Sequence, residues 1–384
     1  EQFDNRGGTL AGTVTDVNAG SLANASGRVL AEQTLTIEAG ALDNQTGLLQ
    51  SRDKALIVGT TVDNREGDVV ALGNLSVTAR ELDNSQRGRL RAGGTADVVV
   101  GSIDNRQGVV AAGSLALEAD GIDNRDGGLI TSEASLNLKA AQLDSSNGGE
   151  LSAGGDIKAT VGTLTQQRGR LIGDGRIQID LQNGTLDNRK GLIKARDGLA
   201  ITNAANVKNQ GGELSSSADV QLSGKRLGNA DGGRVIAGGE LRIEAGAVDN
   251  QNGGLLSGWQ GLILQGGSLD NSGLGTLSCR EGGVSVQLTG TLDNGEEGAV
   301  VGKQALDINV AELRNAASGI LSSEGDVAVR VSGTFDNTGN GLLNAGGALT
   351  VQASDVLNRE GVIRSGADLL LVAVQVAQAF GDMG

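Results

Sequence analysis

Aspartates recur along the whole chain, each placed between an apolar residue and an asparagine. The triplet occurs at Phe3-Asp4-Asn5, Leu42-Asp43-Asn44, Ile103-Asp104-Asn105, Leu186-Asp187-Asn188 and Phe335-Asp336-Asn337. A column of carboxylates could bind Ca²⁺, which takes about six to eight oxygen ligands, and a convergent pair could hydrolyse a glycosidic bond. However, the calcium-binding nonapeptide Gly-Gly-x-Gly-x-Asp is absent as an array, and the repeat spreads the acids evenly. We therefore expect solvated turn carboxylates, with no metal and no cofactor.

Other residue types that carry chemistry are scarce. The sequence has no histidine, which excludes a Ser-His-Asp triad and a His-ligated zinc site within it. Its single cysteine, Cys279, permits no internal disulfide, and we expect it to fill a small-residue position rather than act as a reactive thiol. Trp259, the only tryptophan, is a speculative ligand contact, with local packing as the alternative. We expect no catalytic residue and no enzymatic activity.

The Asn positions define an internal repeat of about twenty-one residues, a period typical of solenoids. Alignment on this position gives about eighteen units. They lie at residues 5, 24, 44, 64, 84, 105, 124, 145, 166, 188, 209, 229, 250, 271, 294, 315, 337 and 358. Ser145 and Gln166 are the departures from Asn, so the column lapses in two consecutive units. We interpret this lapse as drift rather than as a binding site.

Asn at a fixed turn position predicts a ladder of stacked side-chain amides. Asn tolerates a left-handed backbone, and identical Asn side chains in register hydrogen-bond up a stack. The residues assigned to this ladder are Asn5, Asn44, Asn64, Asn84, Asn105, Asn124, Asn188, Asn250, Asn271, Asn294 and Asn337. Stacked aspartates would repel one another, so we expect a solvated edge with partial compensation by the Arg that often follows Asn. That Arg occurs at Arg6, Arg65, Arg106, Arg125, Arg189 and Arg359.

Between these turns, short apolar segments alternate in the pattern of β-strands. Segments of about three to five residues, repeated at constant length, predict an all-β parallel β-helix, or solenoid, whose coils stack about 4.8 Å apart into a rod of about 85 Å. The predicted inward pairs are Leu35/Ile37, Leu75/Val77, Leu136/Leu138, Leu199/Ile201, Leu241/Ile243, Leu306/Ile308 and Leu349/Val351. A second column is predicted to need small residues, at Ser51, Ala92, Ala112, Ser132, Ala153, Ala195, Ser216, Gly238, Gly258, Cys279, Ser323, Ala345 and Ser365.

Composition limits the partners. The chain has 384 residues, with 31 Lys plus Arg against 46 Asp plus Glu and a net charge of −15. Such a surface repels nucleic acid and anionic membranes, so we expect neither as a partner. Proline is absent, which suits a fold in which nearly every backbone N–H donates to a neighbouring strand. Residue 1 falls inside a repeat, so we expect a segment of a longer protein that is monomeric on its own.

The repeat as a whole, apolar-Asp-Asn-x-x-Gly-x-Leu-x-(Ala/Ser)-x-x-x-Leu-x-Leu-x-Ala, resembles that of filamentous haemagglutinin-type exoproteins. These include bacterial adhesins and contact-dependent growth inhibition effectors. The resemblance covers about residues 1–365, predicted as one β-helix domain, and leaves 366–384 as a terminal coil or cap. It implies a right-handed β-helix with coils of about 20–21 residues. It further implies export by a two-partner system through an outer-membrane secretion transporter, and location outside or on a Gram-negative cell.

The expected function is therefore a structural stalk that projects a binding or toxic module of the parent protein toward a target-cell receptor or glycan. The alternative is an adhesin module whose own flank binds a host or bacterial glycan or protein. A polysaccharide-active β-helix enzyme is a third hypothesis. A stalk predicts uniform sides, whereas an adhesin predicts one aromatic or loop-rich patch, for which this sequence offers Trp259.

Overall fold

Strands are the regular elements of the chain. The computed structural model describes residues 1–377 and 382–383, and these residues form parallel-paired strands and turns with no helix among them. No helix in this described part is therefore long and apolar enough to cross a membrane. The architecture is a parallel β-solenoid of about eighteen turns, which confirms the predicted fold class.

The chain divides into two compact units. Unit 1 comprises Glu1–Leu186 with Gly191–Ile193, and unit 2 comprises Asp187–Lys190 with the chain from Lys194 onward. The strands of unit 1 are β1 (Gln2–Asp4), β2 (Thr9–Ala23), β3 (Arg28–Asp43), β4 (Leu48–Ser51), β5 (Lys54–Asp63), β6 (Asp68–Ala71), β7 (Leu75–Asp83), β8 (Arg89–Asp104), β9 (Val109–Asp123), β10 (Leu129–Ser132), β11 (Leu136–Asp144), β12 (Glu150–Ala153), β13 (Ile157–Thr165), β14 (Arg170–Gly173) and β15 (Ile177–Asp180).

Two strands contain residues of both units, β16 (Thr185–Asp187) and β17 (Leu192–Ala195). The strands of unit 2 are β18 (Leu199–Ala204), β19 (Asn206–Lys208), β20 (Glu213–Ser216), β21 (Val220–Gly228), β22 (Arg234–Ala237), β23 (Glu240–Asp249), β24 (Leu255–Gly258), β25 (Gly261–Asp270), β26 (Thr276–Cys279), β27 (Val284–Leu288), β28 (Thr291–Asp293), β29 (Ala299–Gly302), β30 (Ala305–Val310), β31 (Glu312–Arg314), β32 (Ile320–Ser323), β33 (Asp326–Val331), β34 (Thr334–Asp336), β35 (Leu342–Ala345), β36 (Leu349–Leu357), β37 (Val362–Ser365), β38 (Leu369–Ala377) and β39 (Asp382–Met383).

Like side chains stack on like through the interior of each unit. In unit 1, Leu49 pairs in register with Val29 of the preceding coil and Val69 of the following coil, and all three are fully buried. In unit 2, Leu241 is paired in the same way with Val220 and Leu262. Because each buried aliphatic side chain contributes roughly 1.5–3 kcal/mol, these columns form the hydrophobic core of both units.

The small-residue column is one register position that repeats from coil to coil, and in unit 2 it includes the last residues of β20, β22, β24 and β26. Ser216 pairs with Ala237, Ala237 with Gly258, and Gly258 with Cys279. The predicted assignment of Gly238 to this column is therefore wrong, because Ala237 holds the position and Gly238 begins the following turn. The error arose because the outward Ile236 is also apolar, which hides the period-two alternation around the buried Val235.

The last described coil extends past residue 365. Strand β38 (Leu369–Ala377) pairs in parallel with β36, from Leu349↔Leu369 to Leu357↔Ala377. Residues 378–381 and 384 of the segment expected to form a terminal coil or cap lie outside the described residues. The boundary at 365/366 therefore stays a prediction.

Candidate functional site

Each coil turns sharply at the repeated Asn. In the third coil, Asn44 N donates to Asp63 O of the next coil at 2.7 Å, and Gly47 N donates to Asn44 O at 2.9 Å. The left-handed residue of the turn is Thr46, with φ of 53°. The expectation that Asn itself takes the left-handed conformation is wrong, because its side chain has to point inward while Thr46, two residues later, reverses the chain.

The buried Asn side chains make hydrogen bonds both along the stack and within the turn. Asn64 Nδ2 donates to Asn84 Oδ1 at 2.8 Å and to the backbone oxygens of Gly67 and Arg89 at 3.2 and 3.1 Å. Asn64 Oδ1 accepts from Asn44 Nδ2 at 2.7 Å. Asn64 is completely buried, and these bonds satisfy an amide that would otherwise be costly to remove from water.

We call the resulting stack the Asn ladder. In unit 1, Nδ2–Oδ1 distances of 2.7–2.8 Å join Asn5, Asn24, Asn44, Asn64, Asn84, Asn105 and Asn124. In unit 2, the same distances join Asn188, Asn209, Asn229, Asn250, Asn271, Asn294, Asn315, Asn337 and Asn358. The structure thus places every assigned Asn in the ladder and adds Asn24, Asn209, Asn229, Asn315 and Asn358. None of those five follows an Asp, so the ladder does not depend on the preceding carboxylate.

The ladder changes where the sequence departs from Asn. Asn124 Nδ2 donates to Ser145 Oγ at 3.0 Å, so the hydroxyl takes the place of an amide oxygen. Gln166 is completely buried, yet neither of its side-chain amide atoms has a hydrogen-bond partner among the described residues. Gln166 is one methylene longer than Asn188 at the same position of the following coil, and the preceding coil carries Ser145 there.

The glycine that closes each turn is required by close packing. A Cβ at Gly108 would lie 2.0 Å from Asn84 O and 2.6 Å from Asn105 Oδ1, well inside contact distance. Gly108 does not have a positive φ. Any side chain at this position would therefore displace the ladder itself rather than strain the local backbone.

The Asp before Asn caps the turn from outside. Asp63 Oδ1 accepts from the backbone N–H of Arg65 at 3.1 Å, and the Arg65 Nε donates to the same oxygen at 2.9 Å. Burial alone would raise the pKa of Asp63, but the hydrogen bonds from Arg65 and Gln45 outweigh it, so its pKa is lowered. At Asp4 the side-chain and backbone hydrogen bonds of Arg6 lower the pKa to about 2. Sequence reasoning missed this capping role.

Arginines also bridge successive carboxylates in unit 1. Arg65 Nε lies 3.6 Å from Asp83, Arg106 Nε lies 3.6 Å from Asp123, and Arg125 extends the series. Each guanidinium therefore offsets repulsion between neighbouring coils, as the expected charge compensation requires. Among the residues that the structure describes, no three His, Cys, Asp or Glu side chains are grouped to hold a metal ion.

Shallow troughs follow the outer face of the strand that precedes the Asn turn. In unit 1 the trough is lined by Asp83, Asp104, Asp123 and Asp144. In unit 2 it is lined by Arg189, Lys208, Arg226, Asp249 and Asp270, and its volume is about 900 Å³. Both troughs carry charges of both signs, since Arg125 also lines the first, and neither is lined by an aromatic side chain.

Trp259 lies at a different turn, in unit 2, and remains 43% exposed. The guanidinium carbon of Arg280, on the next coil, lies 4.6 Å from the centroid of the Trp259 ring. Cys279 is buried in the small-residue column, where its Sγ accepts from Gly282 N at 3.3 Å. The structure therefore brings Trp259 and Arg280 together away from the Asn ladder, and Arg280 had not been singled out from the sequence.

Comparison with protein families accounts for the repeated coil. A model described as Haemagglutinin repeat matches residues 2–27, 11–79, 59–110, 110–179, 171–278, 280–339 and 336–379, which together cover nearly the whole chain. The chain belongs to the haemagglutinin-repeat family. Membership confirms the resemblance to filamentous haemagglutinin-type exoproteins, and the Asn turn and its ladder recur in nearly every unit of that repeat here.

The chain is also similar to an individual bacterial protein. The chain is 27% identical to Deoxyribonuclease CdiA of Dickeya dadantii (strain 3937) over an alignment of 180 residues, and the match covers 41% of this chain and 5% of that protein. The chain thus spans a small fraction of its relative, and the activity in the name is that of CdiA. No solved structure matches the chain.

Proposed function

We propose that this chain is a stalk segment of a large secreted bacterial exoprotein, which holds a binding or toxic module of that protein away from the cell that exports it. The observation that carries the proposal is the repeat itself, because one coil design recurs across nearly all of the chain and matches the haemagglutinin repeat throughout. A spacer needs length and cohesion, and repetition of one coil supplies both.

The interactions within each unit support a mechanical role. Neighbouring coils are joined by parallel backbone hydrogen bonds, by buried aliphatic columns and by the Asn ladder. Each coil therefore adds a similar increment of length and of cohesion. The troughs beside the Asn turns are shallow and hold no aromatic side chain, which favours a spacer over an enzyme groove.

The parent protein supplies the rest of the proposal. Family membership and the similarity to CdiA point to a secreted or cell-surface exoprotein of a Gram-negative bacterium. On this view, an outer-membrane secretion transporter exports the chain, and the target-cell receptor or glycan is met by the parent's distal module. The acidic charge of the segment also keeps it from adhering to nucleic acid.

The test compares a loss of length with an exchange of sequence at the same number of coils. In the full-length exoprotein, residues 45–124 are deleted, which removes four coils and joins Asn44 to Arg125 in register. The matched control replaces residues 45–124 with a second copy of residues 125–209, which also span four coils and contain no tryptophan. We expect the deletion to shorten the extracellular filament by about 19 Å and to reduce delivery or adhesion.

The control should retain the filament length and the activity of the parent. A control that loses delivery or adhesion as fully as removal of the entire segment would contradict a spacer role. That result would instead assign a sequence-specific function to residues 45–124.

A further inference from the structure

The Trp259 turn differs from the equivalent turns in chemistry, and the turn of the next coil, which carries Arg280, differs from them in length. The position is defined by a backbone N–H that donates to the small-residue column of the preceding coil, as Trp259 N does to Ala237 O at 3.0 Å. Equivalent residues in other coils are Arg52, Leu72, Glu133, Gly154, Asp174, Ser217, Gly238, Arg280, Gly346 and Gly366. Trp259 is thus an aromatic at a position otherwise held by small, charged or aliphatic residues.

The turn of the next coil, at residues 280–283, contains an additional residue. Gly258 pairs with Cys279 and Leu262 pairs with Val284, so three residues of one coil, 259–261, face four of the next, 280–283. The other coils of the described chain have at most three residues here. In repeat proteins, insertions on one face commonly mark the binding face. The inserted residue widens the turn that carries Arg280 over the indole.

Cys279 braces the widened turn. In turns of ordinary length, Ser216 Oγ accepts from the N–H two residues later, at 3.0 Å. In the widened turn, Cys279 Sγ accepts from Gly282 N, three residues later, at 3.3 Å, and the thiol lies 3.6 Å from Trp259 O. The longer reach of sulfur suits the extra residue. The buried thiol of Cys279 therefore holds both the backbone at Trp259 and the turn that carries Arg280.

The other side of the indole faces a coil without bulky turn residues. Gly238 and Gly239 occupy the turn of the preceding coil, and they offer no side chain to cover the ring. The same coil supplies Glu240, whose carboxylate accepts from Arg242 at 2.9 Å. The indole therefore has the Arg280 guanidinium over one face and two glycines, without side chains, in the turn of the preceding coil, so an exposed apolar ring lies beside a hydrogen-bond donor.

We infer that Trp259 and Arg280 form a subsite for one uncharged pyranose ring of a glycan. The C–H face of a pyranose is apolar, and stacking it on the indole removes apolar surface of both from water. Its hydroxyls both donate and accept, so the Arg280 guanidinium beside the indole can donate to one of them. This activity is separate from the proposed stalk role.

A sugar fits this surface better than a protein partner does. Aromatic hot spots of protein interfaces lie within packed, water-excluding surroundings. Trp259 is instead bordered by Gly238, Gly239, Gln260 and Glu281, none of which extends an apolar surface. Glu240, Glu281 and the net charge of −15 also repel sulfated or carboxylated sugars, which selects an uncharged ring.

The test uses the indole as its own reporter, because Trp259 is the only tryptophan in the chain. The 384-residue segment is titrated with chitotriose, maltotriose, lactose and a sulfated heparin disaccharide while tryptophan emission is followed. We expect saturable changes with at least one neutral sugar, with a dissociation constant of about 1 mM for a single exposed subsite, and weaker binding of the sulfated disaccharide.

Variants then locate the binding. Saturation-transfer NMR on the bound sugar should show at least about tenfold weaker binding for Trp259→Ala and retained binding for Trp259→Phe, which keeps an aromatic face. Arg280→Ala should weaken binding to a smaller degree. Leu72→Ala, at the equivalent exposed turn of unit 1, is the matched control and should change nothing.

Two results would overturn the inference. One is the absence of any emission change with all three neutral sugars up to about 20 mM, well above the expected constant. The other is neutral-sugar binding that is the same in Trp259→Ala as in the unaltered chain. Stronger binding of the sulfated disaccharide than of every neutral sugar would contradict the selection of an uncharged ring. None of these results bears on the length-exchange test of the stalk.

Discussion

At the scale of single residues, the Asp and Asn of one turn have opposite surroundings. Asn64 is completely buried and bonded on both sides of the stack, while Asp63 lies at the surface and caps the turn from outside. The ladder does not require the Asp, because it continues through Asn24 and Asn209, which follow Ala23 and Lys208. The two positions therefore respond to different perturbations.

The Asp caps predict acid sensitivity. Asp63 and Asp123 have folded-state pKa values below that of the unfolded chain, so their charged forms favour folding. Their contribution is fully present above the unfolded pKa of about 3.9 and is lost as the pH falls through the lower folded values. We expect stability to change little between about pH 7 and 5 and to decline below about pH 4.

Arg65→Gln isolates one cap. Without the guanidinium, burial dominates, and the pKa of Asp63 should rise in an NMR titration of its carboxyl carbon. Arg80→Gln, which removes an exposed ion pair to Glu81, serves as the control and should leave the Asp63 pKa unchanged. An Asp63 pKa that does not move in Arg65→Gln would contradict the assigned cause.

At the scale of the elements, Gln166 is the weak point of the ladder within unit 1. Its buried amide has no hydrogen-bond partner among the described residues, and an unpaired buried amide costs roughly 1–3 kcal/mol. Gln166→Asn restores the common side chain of the turn. We expect amide hydrogen exchange around residues 145–169 to slow about fivefold, which corresponds to roughly 1 kcal/mol. Gln142→Asn, at an exposed position, should have no such effect, and faster exchange in Gln166→Asn would count against the ladder as a source of cohesion.

Much of the strand and turn structure could be predicted from the sequence because the same geometry recurs in each repeat. Spacing alone located Asn64 and the inward Leu241, and the structure places both in the interior. Spacing could not reveal that Thr46 rather than Asn44 is left-handed, since many residue types tolerate that exposed position. Spacing also assigned Gly238 to the small-residue column in place of Ala237, because adjacent apolar residues conceal which side chain faces inward.

The Trp259 region shows a second limit of sequence reasoning. The tryptophan was conspicuous by its rarity, but Arg280 lies twenty-one residues away and became its neighbour only through the register of the coils. The available signal was the additional residue between Cys279 and Val284. Reading turn lengths coil by coil would have identified it.

At the scale of the whole molecule, the central claim is a stack in which each coil is held by its neighbours. Cohesion of this kind is a sum of nearest-neighbour terms, so damage should remain local. This property also suits a stalk, because a defect in one coil leaves distant coils able to bear the distal module.

Hydrogen exchange on Leu241→Ala tests this claim most directly. Leu241 is completely buried between Val220 and Leu262, so its truncation should cost roughly 2–5 kcal/mol. The exposed Gln221→Ala is the matched control and should leave exchange unchanged. We predict lost protection in the coils of Val220, Leu241 and Leu262 that fades with distance along unit 2. Equal loss of protection across all of unit 2, or no loss around Leu241, would contradict the account.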